Sequence, residues 1–533
     1  MVLSGCALLT GLDEFSILST GEGGAGGSGG EGNGSSVNCT PGTEEVCYSG
    51  LESTDGVGLC RAGMRVCDDE GNGWGSCEGE VVPAVEQCDD DADEDCDGRH
   101  CIVWAKAFAQ DGSFTPYGIA SDDAGHVLVA GMFTGTLTAG EQTFAAAGST
   151  DGLLLKLRSN GEPLWGKKIG DVDSDFLAAV TTDMDGNIFT AGRALSSIDL
   201  GDGTIAPGLF AAKLDPQGGT LWSTSMGGDG AFADVAVDAI GNLVAVGFFN
   251  EPIDHGSGPV APVGGRDILI AKFDGETGSV SAADGGWVRT LGDASDQAAN
   301  AVAIDPSNNI FVGGDFKGTL DIGGTNGQAT AMGDEDDGFL AKLTPAGNGS
   351  WIFVTFADLA QHVNDVVVDS QGQPAIVGDY EGLIELGPYA LTSQGGRDAF
   401  IIHLGAGKDV LWAGSFGGAG DQIARAAALD ADDSILVGGY AEGELDLGGG
   451  ALPVEGPYDG FIAKLSPAGM GAHLWSHRLG GAGAEGVASL AVSPSQETLT
   501  AAFSDAENPD FGTGPLGASA GSSSRLVIAK LGR

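Results

Sequence analysis

Between Cys88 and Gly98 the chain reads Cys-Asp-Asp-Asp-Ala-Asp-Glu-Asp-Cys-Asp-Gly, with seven carboxylates in nine residues. Like charges at that density repel unless a counterion sits among them. Asp93, Asp95, Asp97 and Gly98 match the D-x-D-x-D-G opening of a calcium loop. In such a loop alternate carboxylates converge on a hard cation and the Gly permits the sharp turn. Asp91, Asp93, Asp95 and Asp97 are therefore the candidate metal ligands, with calcium in a structural role. The twelfth position from Asp93, where an EF-hand carries Glu, is Trp104, so a true EF-hand is not supported. The competing reading is a solvated acidic loop tied down by disulfides.

Eight of the nine cysteines fall in one short segment: Cys39, Cys47, Cys60, Cys67, Cys77, Cys88, Cys96 and Cys101. An even number packed so densely reads as a disulfide framework, and eight cysteines leave about 105 pairings open. Zinc is the alternative, but no Cys-x-x-Cys pair occurs and only His100 lies nearby. A segment of this length cannot bury enough core alone, which is where bridges are expected.

Elsewhere the reactive side chains occur as repeats. Lys156, Lys213, Lys272, Lys342, Lys464 and Lys530 occupy one recurring position, with His403 in the fifth copy. Equivalent bases around a ring make no catalytic sense, whereas an ion pair within each unit or a carbonyl contact does. Asp122, Asp183, Asp238, Asp305, Asp369 and Asp430 recur at the end of a run of small residues, and Ser493 breaks the rule. These read as turn-initiating side chains, with an axial calcium role as the alternative. Gly517-Ala518-Ser519-Ala520-Gly521 matches G-x-S-x-G but lacks the flanking strand and helix of a nucleophile elbow. The seven histidines sit at non-equivalent repeat positions, and no H-E-x-x-H, P-loop or dinucleotide fingerprint occurs. The expectation is a chain with no catalytic site and no cofactor-binding residues, calcium in a structural role being the one cofactor expected.

The elements that carry these residues are set by a long period. Apart from Trp74, tryptophan stands at 104, 165, 222, 287, 351, 412 and 475. Such a fixed period marks a repeat fold. Each unit holds the small-residue run ending in Asp, a Gly/Asn turn, a strand such as IFVGGDF, a Leu-Asp-x-Gly-like corner, and a strand such as DGFLAKL. Short apolar runs punctuated by turns, without a helical stripe, argue all-β. Four short strands per unit, seven times, predict a seven-bladed β-propeller preceded by a small disulfide-rich module. Blades are wedges, so the Ala/Val strand belongs at the crowded axis and the Trp strand at the rim. The chain stops after RLVIAKL, leaving blade seven one strand short. A strand over 103–108 is expected to fill that place and close the ring, removing an exposed sheet edge. The expected domains are 1–5, 6–36, 37–101 and 102–533.

Three stretches resemble known families. Leu3-Ser4-Gly5-Cys6 resembles the lipobox of bacterial lipoproteins, which implies acylation of Cys6. Only five residues precede it and none is basic, so the expectation is a signal truncated at its start. The Gly/Ser/Glu run from Ser19 to Ser36 reads as a tether. Glu86 to Gly98 resembles the Cys/Asp-rich metal-binding motif of bacterial surface proteins. The units of residues 102–533 resemble the bacterial seven-bladed β-propeller (SBBP-type) repeat family, with its Ala-Val-Ala-x-Asp and Asp-x-Phe-x-Ala-Lys-Leu segments. That resemblance implies the fold and says little about function.

A net charge of −52, from 75 acidic and 23 basic side chains, argues against nucleic acid and against anionic lipid surfaces. The functional expectation is a monomeric, lipid-anchored binding, adhesion or scaffold protein of the cell envelope, at the outer membrane, stabilised by calcium. Its partner would be a surface protein or a polysaccharide. The alternatives are a quinoprotein-like or lyase-like propeller enzyme and an outer-membrane assembly propeller lipoprotein.

Overall fold

A computed structural model describes residues 39–50, 56–84, 101–324, 326–467, 471–507, 509–516 and 524–532. Cys6, Cys88, Cys96, the candidate ligands Asp91, Asp93, Asp95 and Asp97, and the G-x-S-x-G stretch all lie outside the described residues. The chain divides into two compact units.

The described part of the first unit falls within Met1–Ser49 and Ala62–Glu80. Strand Glu44–Cys47 pairs antiparallel with Gly63–Val66. Cys39 bonds Cys67 and Cys47 bonds Cys77, closing loops of 28 and 30 residues around this hairpin. An isolated two-stranded hairpin is marginal in water, so the bridges supply what a core of this size lacks. Arg65 lies over the Trp74 ring at 5.3 Å. In the second unit Cys60 and Cys101 are disulfide-bonded as well.

The second unit is a propeller. Its first blade is an antiparallel sheet of Phe114–Ser121, Val127–Phe133, Asp151–Leu157 and Pro163–Ile169, paired in chain order from the innermost strand outward. Five further blades repeat that order. Their inner strands are Asp175–Thr182, Gly230–Val237, Gln297–Ile304, Gln361–Val368 and Gln422–Leu429. Blade seven takes Glu485–Val492, Thr498–Ser504 and Arg525–Leu531 from the end of the chain and Ile102–Ala107 from nearer its start. Each inner strand lies beside the inner strand of the next blade, and the seventh lies beside the first. The fold is thus all-β, with seven four-stranded blades in a closed ring.

Side-chain size explains which strand goes where. The inner strands carry Ala, Val and Gly because seven of them crowd one axis. A Cβ on Gly118 would stand 3.0 Å from Ala179 Cα of the next blade. All seven repeat tryptophans lie on outer strands, where a large ring spans the widening gap between wedges. The second and third strands have both faces covered by neighbouring blades. They read as continuous apolar runs rather than alternating ones, as in the fully buried strand Leu153, Leu154 and Leu155.

The Leu-Asp-x-Gly segment is a short hairpin rather than a corner. Ile198–Asp199 pairs with Thr204–Ile205, and Asp199 Oδ1 accepts the N–H groups of Gly201 and Gly203 at 2.7 and 3.3 Å. Those glycines have φ of 113° and 135°, open only to a residue without Cβ.

Candidate functional site at the axial mouth

The repeated Asp and Lys meet at one end of the ring, where first and second strands turn. Asp122 Oδ1 accepts the N–H groups of Ala124 and His126 at 3.0 and 2.9 Å, which closes the turn. Lys156 Nζ lies 2.9 Å from Asp122 Oδ2, Lys272 2.7 Å from Asp238 and Lys464 2.8 Å from Asp430. Burial alone would raise the Asp122 carboxyl, but hydrogen bonds from Lys156 and His126 outweigh it and hold it below the usual range. In blade five, His403 stands 3.7 Å from Asp369, and burial pushes its imidazole below the ordinary value against the pull of that carboxylate.

The same lysines also join blades. Lys156 Nζ and Trp165 Nε1 both donate to Pro216 O of the next blade, at 3.1 and 3.4 Å. Lys213 and Trp222 do so to Gly275 O, at 3.0 and 3.2 Å. A depression of about 940 Å³ lies on this face, lined in part by Asp183, Asp238, Asp305 and Asp369. Those carboxylates are already engaged by turn amides and by Lys213, Lys272, Lys342 and His403. At this end the repeated side chains close turns and join neighbouring blades.

The other end is built differently. Every inner strand carries a β-bulge five residues before its closing Asp or Ser, at Tyr117, Ala178, Ala233, Asn300, Asn364, Arg425 and Ala488. A bulge inserts one unpaired residue and re-aims its side chain, and bulges cluster beside binding sites for that reason. Asn300 Nδ2 donates to Asp315 Oδ1 at 2.8 Å and Asn364 Nδ2 to Asp379 Oδ1 at 2.8 Å. Arg425 lies over the Tyr440 ring at 5.4 Å. A cavity of about 280 Å³ opens here between blades five and six, lined by His362, Asn364, Asp379, Arg397, Ile423, Arg425 and Tyr440.

Charge around this cavity is set by fixed partners. Arg397 spans Asp379 and Asp421 at 3.2 and 3.4 Å. Burial opposes its charge, yet the two carboxylates hold it above its ordinary value. Asp315, 3.8 Å from His362 Nδ1, raises that imidazole and favours its protonated form. Burial raises the phenols of Tyr117 and Tyr458, and the nearby Arg425 cation acts in the opposite direction on both.

One residue further along, two carboxylates line the channel itself. Asp234 accepts the N–H groups of Val235 and, from the next blade, Val302, at 2.7 and 2.8 Å. Asp365 likewise accepts those of Val366 and Ala427, both at 2.7 Å. Ser489 Oγ plays the same part for Ile119 N of blade one at 3.2 Å. Both aspartates are half-buried. Burial raises both carboxyls strongly, and repulsion by Asp234 raises Asp365 further. The channel therefore favours a proton held on one of the pair.

Sequence reasoning found the framework of this end but missed its chemistry. The bulge residues sit inside an Ala/Val run, and only their changing identity at a fixed offset from the closing Asp signals them. Of the cysteines expected to be bridged, Cys39, Cys47, Cys60, Cys67, Cys77 and Cys101 are disulfide-bonded. Among the described residues no group of three His, Cys, Asp or Glu is placed to hold a metal ion, and no helix is long and apolar enough to cross a membrane.

No family model and no curated protein matches the chain. Among solved structures, a protein of unknown function from Bacteroides caccae is 9% identical, covering 58% of this chain and 93% of its own, with a TM-score of 0.31. A streptogramin B lyase is 10% identical over 80% of this chain and 97% of its own, TM-score 0.39. A puromycin hydrolase is 13% identical over 73% of this chain, which spans 50% of the hydrolase, TM-score 0.40. These likenesses concern the fold alone, which the blade order establishes independently. One expectation is corrected by them. The chain was expected to be no enzyme, but a lyase and a hydrolase stand among the neighbours of this fold, so the propeller gives no ground for excluding catalysis. The blade order establishes a β-propeller, and the comparisons assign it no family.

Proposed function

We propose that this chain is a binding protein of the cell envelope whose propeller receives its ligand at the bulged mouth of the channel. One observation carries the reading: a bulge at the same place in all seven inner strands presents Tyr117, Asn300, Asn364 and Arg425 from four blades and alanine from the other three. A rigid ring that repeats its backbone while varying the side chains aimed at one opening is suited to recognition. The lipobox-like Leu3-Ser4-Gly5-Cys6 and the Gly/Ser tether support display from a lipid anchor at the outer membrane, with a surface protein or polysaccharide as partner. The alternating Asp91, Asp93, Asp95 and Asp97 support a structural calcium ion.

A fragment library screened by ligand-observed NMR against the whole chain tests the central reading. Hits should be lost in the double variant R425E/N364A and retained in the rim control L383S. Hits that survive R425E/N364A overturn it, as does a library without hits. Mass spectrometry of membrane-extracted protein, wild type against C6S, checks the anchor. Melting with and without calcium checks the cation.

A further inference from the structure

The cavity at the mouth contains a cation without an anion. Arg425 makes no ion pair and no hydrogen bond among the described residues; its guanidinium carbon lies over the Tyr440 ring at 5.4 Å, and its charge acts on the phenols of Tyr117 and Tyr458. In a chain of net charge −52 this is not for want of carboxylates. The nearby ones are taken: Asp379 by Asn364 and Arg397, and Asp421 by Arg397. Arg425 is also exposed, standing on a bulge that points it away from the sheet.

Stacking on an aromatic face fixes the plane of a guanidinium while leaving its N–H edge free, the arrangement that grips a carboxylate by two parallel hydrogen bonds. On one side of Arg425 the mouth is aromatic. Tyr440 and Tyr458 lie 5.0 Å apart, Phe503 lies 6.3 Å from Tyr458, and Tyr117 packs against Phe176 at 6.0 Å. Such faces receive a flat or ring-shaped body. The other side is hydrogen-bonding and carries Asp315 and Asp379, which would repel a second negative charge. A volume of about 280 Å³ admits one ring rather than a chain.

Resting on the reading that the mouth is the binding site, we propose that Arg425 anchors the single carboxylate of a small-ring ligand whose ring packs against the Tyr440 and Tyr458 side of the mouth and whose neutral polar groups face Asn364 and Asp379. A hexuronate and an aromatic acid share this chemistry, and the arms of the test separate them.

Calorimetric titration of the full chain with glucuronate and with benzoate, against glucuronamide and benzamide, tests this. At least one acid should bind about tenfold or more tightly than its amide, the yield of one charge-assisted bidentate contact. R425Q should abolish that preference with an unchanged melting temperature, and R425K, which keeps the charge but loses the fork, should fall between. Preference for glucuronate names a sugar acid and preference for benzoate an aromatic one. Equal binding of acid and amide, binding by neither acid, or a preference that survives R425Q overturns the assignment. None of these touches the mouth reading, which stands or falls with the fragment screen.

Discussion

Lys530 Nζ lies 2.6 Å from Glu497 Oε2. In the other six blades the equivalent cation, or His403, faces the Asp that closes the inner strand, but in blade seven Ser493 holds that position. The carboxylate arrives from four residues later, where the other blades place His126, Asn187, Asn242, Asn309, Gln373 or Ser434. Donor and acceptor have changed places, and the charge pairing is preserved. Burial would raise the Glu497 carboxyl, but Lys530, Ser495 and Ser493 outweigh it and hold it low. Its stabilising effect is therefore complete above the ordinary Glu range and is lost as pH falls through the folded value. E497Q should cost about 1–3 kcal/mol at pH 7, because it strands a nearly buried ammonium. The double variant S493D/E497N should restore most of that. Chemical denaturation at pH 7 and pH 4 measures both.

Asp337 should behave oppositely. It is 1% exposed, and burial, reinforced by Asp336, raises its carboxyl to about 6. The folded chain then binds a proton more tightly than the unfolded one, so stability falls as pH rises from about 4 to about 6. D337N keeps an acceptor for Met332 N, which lies 2.7 Å from Asp337 Oδ2. It should raise stability at pH 7 by about 1–3 kcal/mol and flatten the slope between those pH values. A melting profile across pH 4–7 that leaves the slope intact would contradict this.

Ring closure depends on Ile102–Ala107, whose partner is the third strand of blade seven. Removing those residues exposes the edge of Arg525–Leu531, a run that is buried throughout. Deletion should yield aggregation measurable by light scattering. A soluble protein with an unchanged melting curve would show that the strand does not close the ring.

The disulfide hairpin should fail locally. The double variant C39S/C67S removes the bridge that closes 28 residues and should destabilise that hairpin by about 2–4 kcal/mol. Limited proteolysis should then cut between Glu44 and Glu80 while the propeller stays resistant.

Much of this architecture is written locally. Tryptophan spacing counts the blades, small residues mark the inner strands, and the recurring Asp and Lys identify a pair that each blade repeats. These signals need only short-range physics: turn chemistry, side-chain volume at a wedge, and short apolar runs between turns. They fall short at the Leu-Asp-x-Gly segments, where the glycine pattern suits a corner equally well and the pairing partner lies only a few residues on.

Other features came only with the closed ring. That Lys156 and Trp165 share Pro216 O depends on how one blade seats against the next. So does the bond from Asn364 Nδ2 to Ala424 O, 60 residues away. A bulge leaves no clear mark in a run of alanines and valines, because it is set by strand register under neighbouring packing rather than by intrinsic preference. Sequence alone settled seven blades and which strand faces the axis, since volume and period decide those. Tertiary structure alone put Arg425, Tyr440, Asn364 and Asp379 around one opening, because their approach is fixed by the ring and not by their order in the chain.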